Sequence, residues 1–179
     1  MKTQQKDPQI VEIVLENPAY GGDTIGRLPD GRAVFVPFAL PGEKVKIRIV
    51  TNKKKYARGV LVEILEPSPH RIQPNCQHFT ICGGCHYQHV AYEQQLDIKH
   101  RILRDQLERI GRIENPVIEP VTPSPNKFNY RNHIQFKMSK GNKLGFFRAD
   151  KNGILEKHFR TRRAIYTEVG GKIVNYSLM

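Results

Sequence analysis

Lys44-Val45-Lys46-Ile47-Arg48-Ile49-Val50 alternates charged and apolar residues with a period of two until its last position. A strand sends successive side chains to opposite faces, so Val45, Ile47 and Ile49 point to a core while Lys44, Lys46 and Arg48 share the solvent side. Working outward, the pattern recurs upstream, where Val11, Ile13 and Leu15 oppose Glu12 and Glu16. Further strand-length pieces lie at Ala33-Val34-Phe35-Val36 and from Gly59 to Leu65, each bounded by Gly, Pro or Asp. Four or five strands in roughly sixty residues predict a compact antiparallel barrel.

The connection after this strand, Asn52-Lys53-Lys54-Lys55-Tyr56-Ala57-Arg58, adds cations and one aromatic ring. Cations hold phosphates and a flat ring stacks on an unpaired base, the combination used to bind single-stranded RNA. The candidate RNA surface is therefore Lys44, Lys46, Arg48, Lys53, Lys54, Lys55, Tyr56 and Arg58. A lysine-rich hairpin tip reads equally as a solvated turn.

Charge supports a polyanionic partner. The 179 residues carry a formal charge of +12. Residues 1–75 hold twelve Lys/Arg against eight Asp/Glu, residues 76–115 five against five, and residues 116–179 twelve against four. Two basic wings thus flank a neutral middle. No stretch approaches the length of a membrane span, and the amino terminus lacks the apolar run of a secretory signal, so a cytoplasmic location is expected.

The neutral middle contains all three cysteines, Cys76, Cys82 and Cys85, spaced Cys-x5-Cys-x2-Cys with two glycines between the last pair. Three thiols in a Gly-rich loop read as a metal cradle that lacks its fourth donor. Zinc takes His78, His86 or His89 as that donor, whereas an iron–sulfur cluster takes a distant cysteine, and the spacing leaves both open. Each of those histidines reads equally well as an ordinary surface residue.

Tyr92, Leu96, Leu103, Leu107 and Ile110 then recur at helical spacing up to Gly111, with Asp97–Arg101 and Asp105–Arg109 four apart. This predicts a structural helix that packs the cysteine loop against the barrel. A Pro-rich connection leads to Tyr130, Ile134, Phe136 and Met138 alternating with Arg131, His133, Gln135 and Lys137, a half-buried strand with a basic outer face. Lys140-Gly141-Asn142 turns it back into Leu144–Arg148. Arg131, Lys137 and Arg148 are candidate RNA contacts from this second wing.

Pro37-Phe38-Ala39-Leu40-Pro41-Gly42-Glu43, Glu66–Arg71, Cys82-Gly83-Gly84-Cys85, Gln88-His89, Tyr130-Arg131-Asn132 and Gly145-Phe146-Phe147-Arg148, in this order, resemble the amino-terminal part of the bacterial RNA (uracil-5)-methyltransferases, ribosomal RNA branch. The resemblance implies a mainly β, α+β chain. Residues 1–67 form an OB-like TRAM barrel, 68–115 the cysteine loop and helix, 116–155 part of a central antiparallel domain, and 156–179 an atypical tail.

It further implies that Cys76, Cys82 and Cys85 are three of four ligands of a [4Fe-4S] cluster. The fourth cysteine is expected shortly after the Gly-Phe-x-Arg stretch, where this chain has Leu155–Arg163 and no cysteine. S-adenosylmethionine and the catalytic cysteine belong to a carboxy-terminal domain of the family, so no catalytic residue is assigned here. The expectation is an RNA-binding portion of a 23S rRNA methyltransferase whose reading frame is lost near residue 156. The alternative is a stand-alone RNA-binding accessory protein with a zinc site.

Overall fold

The computed structural model describes residues 9–130, 136–138, 144–150, 154–155, 168–169 and 172–173. The chain divides into two compact units, Met1–Asn75 with His86–Pro123, and Cys76–Cys85 with Ser124–Met179. Among the described residues, no helix is long and apolar enough to cross a membrane.

In the first unit, β1 (Ile10–Pro18), β2 (Asp23–Arg27), β3 (Ala33–Pro37), β4 (Lys44–Asn52) and β5 (Tyr56–Glu66) close into a barrel of order β1-β2-β3-β5-β4. The expected alternation holds: Ile13, Leu15, Val34, Val36, Val45, Ile47 and Ala57 are buried in its core, with Val11 and Ile49 packed against them. One feature departs from an all-antiparallel barrel. β3 and β5 run parallel, with Val34 opposite Ala57. Register shifts along β4 at Lys44/Val45, Lys46/Ile47 and Ile49/Thr51 bend the long β4–β5 ribbon, the local distortion that closing so small a barrel requires.

After the barrel, residues 70–72 pair antiparallel with residues 89–91. The amide of Ile72 donates to the His89 carbonyl at 2.9 Å, and that of Ala91 to the His70 carbonyl at 2.9 Å. Helix α1 (Tyr92–Asp105) follows, continued by a π-helical turn, Gln106–Ile110. Ile98 is buried with Leu40 and Val90, and Ile102 packs beside them. This differs from the expected stripe, since Leu103 and Ile110 are 43% and 64% exposed. The α1 face is chosen by the Leu40 loop, a tertiary partner that spacing alone does not reveal.

In the second unit, β6 (Lys137–Met138), β7 (Leu144–Phe147) and β8 (Ile154–Leu155) form an antiparallel sheet, with Lys137 opposite Gly145. The expected antiparallel pairing is therefore present, while the expected turn at Lys140-Gly141-Asn142 lies outside the described residues. The cysteine loop docks on it: the amide of Gly83 donates to the Phe147 carbonyl and that of Ala149 to the Ile81 carbonyl, both at 2.8 Å. The loop thus draws its partners from β7 and the residues after it, while α1 belongs to the barrel's unit. In the tail, Glu168–Val169 pairs with Lys172–Ile173.

Candidate nucleic-acid interface

The outer face of β4 carries less open charge than its sequence implies. Lys46 Nζ lies 3.0 Å from a Glu63 carboxylate oxygen and 3.9 Å from one of Glu12, and Lys44 Nζ lies 3.6 Å from Glu66. Arg48 is exposed on the same face. These carboxylates come from the neighbouring strands β1 and β5, whose register was not legible in the sequence.

The tip of the barrel is different. Arg32, on the β2–β3 connection, donates from Nη1 to the Asn52 side-chain oxygen and to the Lys53 carbonyl, both at 2.6 Å, while Asp30 holds its Nε at 2.8 Å. The Lys53 amide donates to the Tyr56 carbonyl at 2.9 Å. Two hairpin tips are thereby tied together, and Lys53, Lys54 and Lys55 are exposed on a braced turn.

Next to this turn lies an aromatic group that sequence reading found only in part. Tyr56 meets Phe35 edge-on at 6.0 Å between centroids, and the Arg58 guanidinium lies 5.7 Å from the Phe35 centroid. Arg58 Nη1 also donates to Asp23 at 3.0 Å. Since Arg58 covers Phe35, the flat surfaces presented to solvent are the Tyr56 ring, 39% exposed, and the Arg58 side chain, 54% exposed. Phe35 was missed because its strand was read only for core residues. Its position on the outward side of the β3 alternation was the available signal.

A second heavily bonded group is Glu43, which is fully buried. Its carboxylate accepts from the amides of Leu40 (2.9 Å) and Ser68 (3.2 Å) and from Arg71 Nε and Nη2 (2.6 and 2.8 Å). Burial alone raises its pKa, but these donors outweigh it and hold the carboxyl below the usual range. Arg71 Nη2 also donates to the Phe38 carbonyl at 3.0 Å. His89, 2% exposed, is pushed down to about 4, by burial first and by the Arg71 charge second, against the opposing pull of Glu43 and the Ala39 carbonyl. This polar knot fixes the barrel to the segments that precede α1. It contains no exposed group for a ligand.

In the cysteine loop, Cys82 is buried, Cys76 half-buried and Cys85 exposed. Burial raises the Cys82 thiol pKa, the Gly84 amide at 3.4 Å opposes that, and the charges of Cys85 and Cys76 add to the rise. In the second wing, Arg148 Nε pairs with Asp150 at 3.2 Å, and Lys137 Nζ lies 5.8 Å from the Phe147 ring centroid. Arg131 lies outside the described residues.

Residues 4–62 match the TRAM domain. An RNA methyltransferase of Aquifex aeolicus is 41% identical over 146 residues, covering 82% of this chain and 34% of that protein. Another of Gloeobacter violaceus is 37% identical, covering 82% and 33%. The chain belongs to the TRAM-domain RNA methyltransferase family. It spans about a third of the length of these relatives. Among solved structures, a Pyrococcus abyssi tRNA (uracil-54, C5)-methyltransferase in complex with S-adenosyl-L-homocysteine is similar at 28% identity and a TM-score of 0.44, over 75% of this chain and 28% of that one.

The cluster implied by the family resemblance is not assembled by the described residues of this TRAM-domain chain alone. Among the described residues, no group of three or more His, Cys, Asp or Glu is gathered as a metal-holding set. The sequence also supplies three cysteines for four positions. His89, one of the histidines considered for zinc, is instead buried beside the Glu43–Arg71 pair.

Proposed function

We propose that this chain is the RNA-recognition portion of an S-adenosylmethionine-dependent RNA (uracil-5-)-methyltransferase, with 23S ribosomal RNA as its substrate. The observation that carries the reading is the braced lysine turn beside the Tyr56–Phe35–Arg58 group on a TRAM barrel. The lysines neutralise phosphates, and the ring and guanidinium planes receive unpaired bases. Arg32 acts through its neighbours by holding the turn in shape, which lowers the ordering cost of capture. Lys44 and Lys46 exchange carboxylates for phosphates only against local competition, so they contribute less than Lys53–Lys55.

Methylation at uracil C5 needs a nucleophile at C6 and a base for the C5 proton. By the family resemblance, both roles belong to a carboxy-terminal catalytic domain. Cys76, Cys82 and Cys85 are proposed as three sulfur donors of a metal site completed by a further ligand. Metal analysis after anaerobic purification separates iron with sulfide, supporting the family reading, from stoichiometric zinc, supporting an accessory protein.

RNA recognition is tested by anisotropy with a labelled oligouridylate. Affinity is expected to fall steeply between about 50 and 200 mM salt. The Phe35→Ala/Tyr56→Ala variant is expected to bind about tenfold more weakly, the effect of losing a stacked base. Affinity that stays flat with salt, or is untouched by losing both rings, overturns the reading.

A further inference from the structure

A groove of about 650 Å3 separates the outer face of β2–β3 from the end of the helix. It is lined from the barrel side by Ile25, Arg27 and Phe35, with Tyr20 from the β1–β2 turn, and from the helical side by Arg104 and Arg109. Tyr20 is 81% exposed. Arg101 fixes the groove's width, because its Nη2 donates to the Asn17 side chain at 3.0 Å and to the Glu16 carbonyl at 3.5 Å. Phe35 belongs both to this groove and to the aromatic group beneath Arg58.

Resting on the barrel's reading as an RNA binder, we infer that the groove continues the single-strand path, and that the helix supplies its second wall. Arg104 and Arg109 take phosphates there, and Tyr20 takes a base. The chemistry of the lining favours RNA over a protein segment: four arginines, counting Arg27 and Arg101, outnumber the three carboxylates of Glu16, Asp105 and Glu108 around an aromatic and aliphatic floor. Guanidinium planes and rings together suit unpaired nucleotides, whereas an apolar peptide would desolvate those charges without return.

The two helical arginines are available for this role. Arg104 pairs with Glu108 at 3.5 Å and Arg109 with Asp105 at 2.9 Å, both one turn along the same surface. Exposed pairs of this kind contribute little to stability, so a phosphate displaces the carboxylate at small cost. The volume lies within the range of about 300–1,000 Å3 typical of small-ligand sites, enough for about two unpaired nucleotides and too narrow for a duplex.

The test uses the full chain and two fluorescein-labelled oligouridylates, of about 12 and about 4 nucleotides, near the two ends of the range one OB-type barrel occupies. R104Q/R109Q is expected to weaken the longer oligonucleotide about tenfold and to reduce its salt slope by roughly 1–2. The shorter one, held at the lysine turn, keeps its affinity. R104K/R109K is expected to restore most of the slope, which loss of folding would not allow.

If R104Q/R109Q matches the parent chain in affinity and slope on the longer probe, the groove is not on the RNA path. That result is also the one expected if the groove docks a protein. If the parent chain ignores both probes, the barrel reading fails too, so the two failures are distinguishable.

Discussion

The loops Pro37–Glu43 and Cys76–Cys85 are both short and Gly-containing, one with a single ionisable side chain and the other with four, and they are held in opposite ways. Around Glu43 the chain supplies every donor itself, two amides and a bidentate arginine, to a carboxylate with no exposure. The cysteine loop is fixed by backbone pairing of Gly83 to Phe147 of β7 and of Ile81 to Ala149 just after it, while its thiols lie at three different depths. A buried charge that is fully bonded locks a fold. Backbone pairing only sets the place where side chains can act.

The largest way to break this contrast is Glu43→Gln. It leaves the half-buried Arg71 against a neutral amide and is expected to cost about 3 kcal/mol in urea unfolding. A loss below about 1 kcal/mol would show that the knot is dispensable.

Acid probes the same region less severely. His89 stays neutral in the fold down to about pH 4, but the unfolded chain protonates it near 6.5, so the unfolded state binds the extra proton between these values. Stability should therefore fall as pH drops from 6.5 toward 4, by at most about 3 kcal/mol. The lowered Glu43 adds a further loss below its unfolded value of 4.5. Urea midpoints that do not move between pH 7 and 4.5 would contradict the burial of His89.

Gly83→Ala sharpens the other side of the comparison. A Cβ there would sit 3.0 Å from the Phe147 carbonyl oxygen and 3.3 Å from that of Arg148. Backbone cannot yield as a side chain can, so the loop should lift locally at a cost of about 1–3 kcal/mol. Hydrogen exchange at the Ala149 amide should accelerate, with the barrel's amides unchanged. The smallest effect belongs to Lys46→Gln, which should leave the urea midpoint where it is, because its partners Glu63 and Glu12 are themselves exposed.

The barrel was legible because alternation over Val11–Leu15 and Val45–Ile49 reports burial directly. The parallel β3–β5 pairing was not, since period two says nothing about strand direction. The cysteines announced themselves by residue type, whereas Glu43 looked like one acid in a turn, and its role depends on Ser68 and Arg71, 25 and 28 residues away. Tyr56 and Arg58 were read from a charged connection. Phe35 could be read from its outward place in the β3 alternation, but its meeting with the helical arginines needed the third dimension, because only folding brings β3 and α1 to one groove.

Joining β3 to β5 closes the ring of five strands. A closed ring presents no unpaired row of amides and carbonyls along its side, which is the template by which β proteins recruit further chains into aggregates. The barrel can therefore offer its exposed lysine turn to a polymer while most of its strand backbone is already engaged within the ring.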